Sequence, residues 1–149
     1  MNNAVGILKS VQIGLDVAIF LLNTDRDLQA TELCNECLFL LHKLDFGIDP
    51  DHDISEVLFN VYYATSGYTN AARYTTKLID KFFLVRKLII RQGNKYKANC
   101  QFAEAKQLFE SALTIIKAIG RRKEEAVTYK RVGYHCQIVS EYQKAKKFF

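Results

Sequence analysis

Apolar residues recur at spacings of three and four along most of this chain. Ala105, Leu108, Phe109, Ala112, Ile115, Ile116 and Ile119 form one such stripe, the mark of a helix buried along one face. Lys117 in the last turn and Gly120 just beyond it complete a helix stop. Leu33, Cys37, Leu40, Leu41 and Leu44 form a second stripe, with Asp25 or Asp27 as a candidate N-cap. Asp53 and Glu56 stand at capping-box spacing ahead of Val57, Leu58 and Val61. No segment alternates apolar and polar residues between turn signals as a half-buried strand does. The predicted class is all-α.

Laid against itself, the chain repeats. Residues 55–78, 89–112 and 129–149 superpose without a gap. Aligned columns hold Leu58, Gln92 and Val132; Phe59, Gly93 and Gly133; Tyr62, Tyr96 and Cys136; Tyr68, Phe102 and Tyr142; Ala71, Ala105 and Ala145; Thr75, Phe109 and Phe149. Short breaks fall just before the Tyr68 column, at Ser66-Gly67, Cys100-Gln101 and Ser140-Glu141. Each unit therefore reads as helix, tight turn, helix. Small residues at 93, 133, 71, 105 and 145 let the two helices cross closely, while aromatic side chains fill the space around the crossing. One helix pair cannot bury its apolar stripes alone, so such units stack.

This pattern resembles the tetratricopeptide repeat (TPR), whose signature runs aromatic-x-x-Leu-Gly-x-x-Tyr and then Ala, Phe and Ala at fixed offsets. Gly93, Tyr96, Ala105, Phe109 and Ala112 match it in the second unit, and Tyr129, Gly133, Ala145 and Phe149 in the third. The first unit matches through Leu58, Tyr62 and Ala71, with Tyr68 in support; the family's closing proline is replaced by Phe83 and Lys117. The aligned alanines 71, 105 and 145 are 34 and then 40 residues apart. The longer spacing is similar to the repeats of kinesin light chain and the Leu-Gly-Asn-repeat adaptors. The resemblance implies a right-handed α-solenoid of about 3.5–4 repeats forming one domain, residues 1–149. Its units would be a degenerate 4–44, then 52–85, 86–123 and a truncated 126–149. Phe149 falls mid-helix in its unit, so the chain is expected either to be a fragment of a longer array or to self-associate through an uncapped C-terminus.

In this family the first helix of each unit lines a concave groove for a peptide or partner helix. Carried onto the two best units, groove positions would be Lys87, Ile90, Arg91, Asn94 and Lys97, then Val127, Lys130, Arg131, Tyr134 and Gln137. Six of these ten are basic or Asn, a set suited to acidic side chains or a terminal carboxylate. Of the family's carboxylate clamp only Lys87 and Arg91 have counterparts; Val57 stands where an asparagine belongs. The resemblance implies a non-enzymatic protein-interaction scaffold with a protein or peptide partner. An RNA-binding helical repeat, pentatricopeptide-like, is the alternative, disfavoured by the uneven spacing; a self-associating structural segment is a third.

Composition changes this picture little. The 149 residues are 49% hydrophobic and 25% charged, with a net charge of +5, ordinary for a globular chain and mildly attractive to acidic partners. The longest unbroken apolar run, Val17–Leu22, is shorter than the about 20 residues a bilayer span needs, and no basic segment precedes it as in a signal peptide. A cytoplasmic protein with reduced thiols is expected.

Candidate chemistry is sparse. Cys34-x-x-Cys37 has redox or zinc spacing, but Glu32 and Glu36 oppose a thiolate, and Cys100, Cys136 and the histidines lie in other units. Its residues suit packing between helices. Asp49, Asp51 and Asp53 imitate the start of a calcium loop, yet Ile54 and Asn60 stand where glycine and glutamate are required. There is no phosphate-binding glycine loop, nucleophile elbow or Ser/His/Asp arrangement. No catalytic residue, metal or cofactor is expected.

Overall fold

The computed structural model describes residues 2–44, 54–119 and 122–148. The acidic 49–53 stretch with capping Asp53, the stop at Gly120 and the signature residue Phe149 lie outside them. The described residues are all-α, with no strand among them: α1 Asn2–Asn23, α2 Asp27–His42, α3 Ile54–Ala98, α4 Phe102–Ile119 and α5 Arg122–Phe148. Gly67 (φ 78°, ψ 173°) breaks α3 into a first arm, 54–66, and a second, 68–98.

The stripes become the core. All seven stripe positions of α4, Ala105, Leu108, Phe109, Ala112, Ile115, Ile116 and Ile119, are buried, and in α1 Leu8, Val11, Leu15, Ala18 and Leu22 repeat the same spacing inward. Phe82 and Phe109 are among the largest fully buried side chains, each stabilising the fold by roughly 1.5–3 kcal/mol. Cys34, Cys37 and Leu41 are buried on α2 and Leu44 just beyond its end, while Leu33 and Leu40 are half-buried beside them.

Two hairpins close in the same way. Arg26 donates its backbone N–H to the Leu21 carbonyl at 2.9 Å, with Asp25 left-handed at φ 60°; then Ala30 N–H reaches Arg26 O at 3.1 Å. Each feature returns 75 positions further on: Gln101 N–H to Tyr96 O at 2.9 Å, Cys100 at φ 60°, Ala105 N–H to Gln101 O at 3.1 Å. These are Schellman-type helix ends, in which an αL residue turns the chain while capping the last carbonyls. Asp25 is thus the turning residue. Arg26, not an aspartate, precedes α2 and makes no side-chain cap, and Asp27 is the buried first residue of the helix.

Contacts between the units are not confined to sequence neighbours. The hairpin of α1 and α2 meets α4 and the second arm of α3 directly. Lys81 Nζ holds the Asp16 carboxylate at 2.9 and 3.0 Å, and Gln92 and Tyr96 reach Asp27. The 4–44 unit thus touches the 52–85 unit at Lys81 and the 86–123 unit at Gln92 and Tyr96. There is no turn at 85/86, because the second arm continues as helix through it. The expected turn at Ser140-Glu141 is also absent: α5 passes straight through it. The other two breaks carry a left-handed residue, Gly67 or Cys100, and 140–141 has none.

The first arm folds back on the start of the second. Phe59 meets Tyr68 edge-on at 5.5 Å and Tyr62 meets Tyr74 at 5.5 Å, and Leu58 and Val61 join the common core.

α1 also corrects the expectation that no segment is long enough for a bilayer. Ala4–Asn23 is long and apolar enough, by length and composition, to cross one; here its inward stripe packs against α2 and α3.

Candidate functional site

α3 and α5 lie side by side in the same direction. Thr128 on α5 shares a cleft with Phe83, Leu84, Arg86, Lys87 and Ile90 of α3. Further along both helices, Lys97 Nζ donates to His135 Nδ1 at 3.1 Å. Both helices rest on α4, where the His135 imidazole stacks on Phe109 at 5.6 Å and Tyr142 stacks on Phe102 at 5.3 Å. Parallel helices in this register turn one face each toward solvent, and most of the predicted groove residues are there. Lys87, Arg91 and Asn94 are exposed on α3, and Val127, Lys130, Arg131, Tyr134 and Gln137 on α5. Ile90 is half-buried in the cleft floor beside Phe83, with Leu84 more open.

The cleft holds about 320 Å³. Its walls carry cations: Arg86 lies over the Phe83 ring at 4.9 Å, and Lys87 forms the rim. Lys97 is engaged elsewhere, since its ammonium sits on His135. Burial first, then the Lys97 and Arg131 charges, hold the His135 imidazole below the usual histidine range. It is therefore neutral at pH 7, accepting at Nδ1 and carrying its proton on Nε2.

The signature residues divide in two. Ala71, Ala105, Phe109 and Ala112 are fully buried. A Cβ on Gly93 would stand 2.8 Å from Phe109 Cε1, so the helices of that hairpin touch through the glycine. Tyr62 is half-buried, and burial raises its phenol pKa. The third-unit set behaves otherwise, because α5 does not turn back. Tyr129 is 44% exposed, Ala145 is exposed, and a Cβ on Gly133 would meet nothing within 4 Å.

A polar cluster, buried at Asp27 and Gln92 and open to solvent at Asp25, joins the two hairpins. Gln92 Nε2 donates to Asp27 Oδ1 at 3.0 Å and Oδ2 at 3.2 Å, and to Asp25 Oδ1 at 3.0 Å. The Tyr96 hydroxyl donates to Asp27 Oδ2 at 2.9 Å. Asp27 is only 3% exposed, a burial that a carboxylate tolerates when its oxygens are hydrogen-bonded. The bond to Asp27, then burial, raises the Tyr96 pKa. Asp25 is held below its ordinary value by the Gln92 hydrogen bond and then by Lys95, 3.6 Å away. The one sequence signal for this cluster is Gln92 itself, a polar residue in a column otherwise filled by Leu58 and Val132. Also unread in the sequence is the outward stripe of α1, Ile13, Val17 and Phe20.

Cys34 and Cys37 face the core. Burial first pushes their thiols up, to about 12 and about 11, and Cys37 Sγ lies 3.7 Å from the Val11 carbonyl. At neutral pH both are protonated and poor nucleophiles. Among the described residues, no three His, Cys, Asp or Glu side chains converge as a metal site would need. Compared with family models, curated proteins and solved structures, the chain finds no match in any of the three.

Proposed function

We propose that this chain is a non-enzymatic, TPR-like interaction scaffold that takes a peptide or helix of a partner protein along α3 and α5. The observation that carries the reading is the parallel seating of these two helices on α4. It brings an apolar cleft floor (Phe83, Leu84, Ile90) together with Arg86 and Lys87 on its walls, while Arg91, Lys130 and Arg131 stand exposed on the same two helices. Apolar anchors between rim charges are what an amphipathic acidic segment recognises: the floor supplies affinity, the rim orientation and on-rate. The Schellman-closed hairpins, 75 residues apart in sequence and adjacent in space, support TPR-like units as the framework.

The test is a fluorescence anisotropy titration with a labelled acidic amphipathic peptide in which leucines alternate with glutamates. Lys87→Glu with Lys130→Glu is expected to weaken binding by about tenfold or more at unchanged melting temperature. Equal binding by the double variant would remove the reading. Tighter binding of single-stranded RNA than of the peptide, falling steeply with salt, would replace it with the nucleic-acid alternative.

A further inference from the structure

Gly67 turns α3 back on itself, and a second cleft, of about 430 Å³, lies between the two arms. Glu56, Phe59 and Asn60 line it from the first arm, and Ala72, Thr75 and Thr76 from the second. It shares no residue with the cleft between α3 and α5. Its chemistry is also the reverse, since a carboxylate stands in it and no cation is among its walls. Arg73 and Lys77, the sequence neighbours of Ala72 and Thr76, do not line it. Arg73 is engaged by Asn70 at 3.1 Å and by the Tyr74 ring at 5.5 Å.

Three polar groups of this cleft are unused. Glu56 and Asn60 are exposed, and among the described residues neither has an ion pair or hydrogen bond. Thr75 is only 6% exposed, and its hydroxyl is buried without a hydrogen-bond partner. Threonines elsewhere in these helices behave differently: Thr76 and Thr114 each return the hydroxyl to the carbonyl four residues earlier, at 3.0 Å. A buried polar group left unpaired costs free energy until something supplies a partner. Beside these groups stands the Phe59 ring, with Tyr63 stacked on it at 5.9 Å and Tyr68 meeting it edge-on at 5.5 Å.

We infer that this cleft binds a small alkylammonium compound carrying a neutral hydrogen-bonding group at its other end, such as an amino alcohol. The ammonium pairs with Glu56 and Asn60 on the exposed side, the alkyl chain lies along Phe59 and Ala72, and the neutral group reaches the Thr75 hydroxyl. A carboxylate beside an aromatic ring favours a cation twice, through its charge and through the π face. The volume is that of a small-molecule site.

The test is an NMR amide-shift titration of the full chain with aminobutanol, set against butylamine, which lacks the hydroxyl, and butanediol, which lacks the charge. Saturable shifts are expected within residues 55–60 and 72–76, with aminobutanol bound about threefold or more tighter than either control. Glu56→Gln should erase the advantage over butanediol alone, and Thr75→Val the advantage over butylamine alone. Thr75→Val, which has no hydrogen bond to lose, should melt at the original temperature or above it. Equal affinity for the three compounds, shifts that do not saturate, or an advantage that survives its variant would overturn the inference. So would a lowered melting temperature for Thr75→Val, which would mean that the hydroxyl already has its partner within the chain.

Discussion

At the residue scale, Gly93 shows how a single position carries the geometry of a hairpin. Any side chain there must displace the Phe109 ring, which is fully buried and has no free volume to enter. Gly93→Leu is expected to lower stability by roughly 1–3 kcal/mol in urea denaturation. The same substitution at Gly133 tests the opposite surroundings. His135 supplies the pH-sensitive contrast. The unfolded imidazole takes up a proton near 6.5, whereas the folded one resists until lower pH. Between the two values the unfolded chain binds more protons, so stability is complete above 6.5 and falls as pH drops through that window. His135→Phe, which keeps an aromatic ring on Phe109, is expected to flatten this part of a melting-temperature profile against pH. Gly93 was legible in the sequence because glycine recurs in its column at Gly133, where a close helix crossing asks for a small residue. Gly14 was not: a Cβ on it would stand 2.6 Å from Cys37 Sγ, yet the first hairpin's register cannot be set from sequence, since cysteines and leucines replace the signature aromatics.

At the scale of elements, the apolar stripes were enough to place α2 and α4, because a 3.6-residue period leaves little choice of buried face. Turns were legible where a residue tolerates positive φ. Ser66-Gly67 does, and Cys100 is held left-handed by the flanking carbonyl bonds. Ser140-Glu141 offers no such residue, and helix continues there by default while Tyr142 finds Phe102. Similarity of columns was thus a poorer guide than local backbone chemistry. Gly67→Ala isolates that term: its Cβ would touch nothing within 4 Å, so the strain of φ 78° is all that changes. A loss of about 1–2 kcal/mol is expected in thermal unfolding. The Asp27–Gln92 bond spans 65 residues, beyond the reach of any periodicity, which is why the contact between the two hairpins could not be read in advance.

At the scale of the whole molecule, consecutive helices pack on one another (α1 on α2, α3 on α4, α4 on α5), and the longer-range pairs α1 with α3 and α2 with α4 close the fold. The α1–α2 hairpin lies on α4 and the second arm of α3, while α5 packs on α4 beside α3. Arg86 and Lys87 of α3 line one cleft with Thr128 of α5, a fact of packing that charge counting alone does not contain. The second arm of α3 has a further consequence. Residues 68–98 form one rod of about 46 Å whose beginning belongs to the first arm and whose end belongs to α4. In tandem arrays with a joint between neighbours, modules can melt one at a time. A shared rod denies that route, since fraying of either hairpin unwinds backbone that the other needs. Differential scanning calorimetry is therefore expected to show a single endotherm with calorimetric and van't Hoff enthalpies in agreement; two resolved endotherms would mean that the rod breaks in the middle before the molecule does.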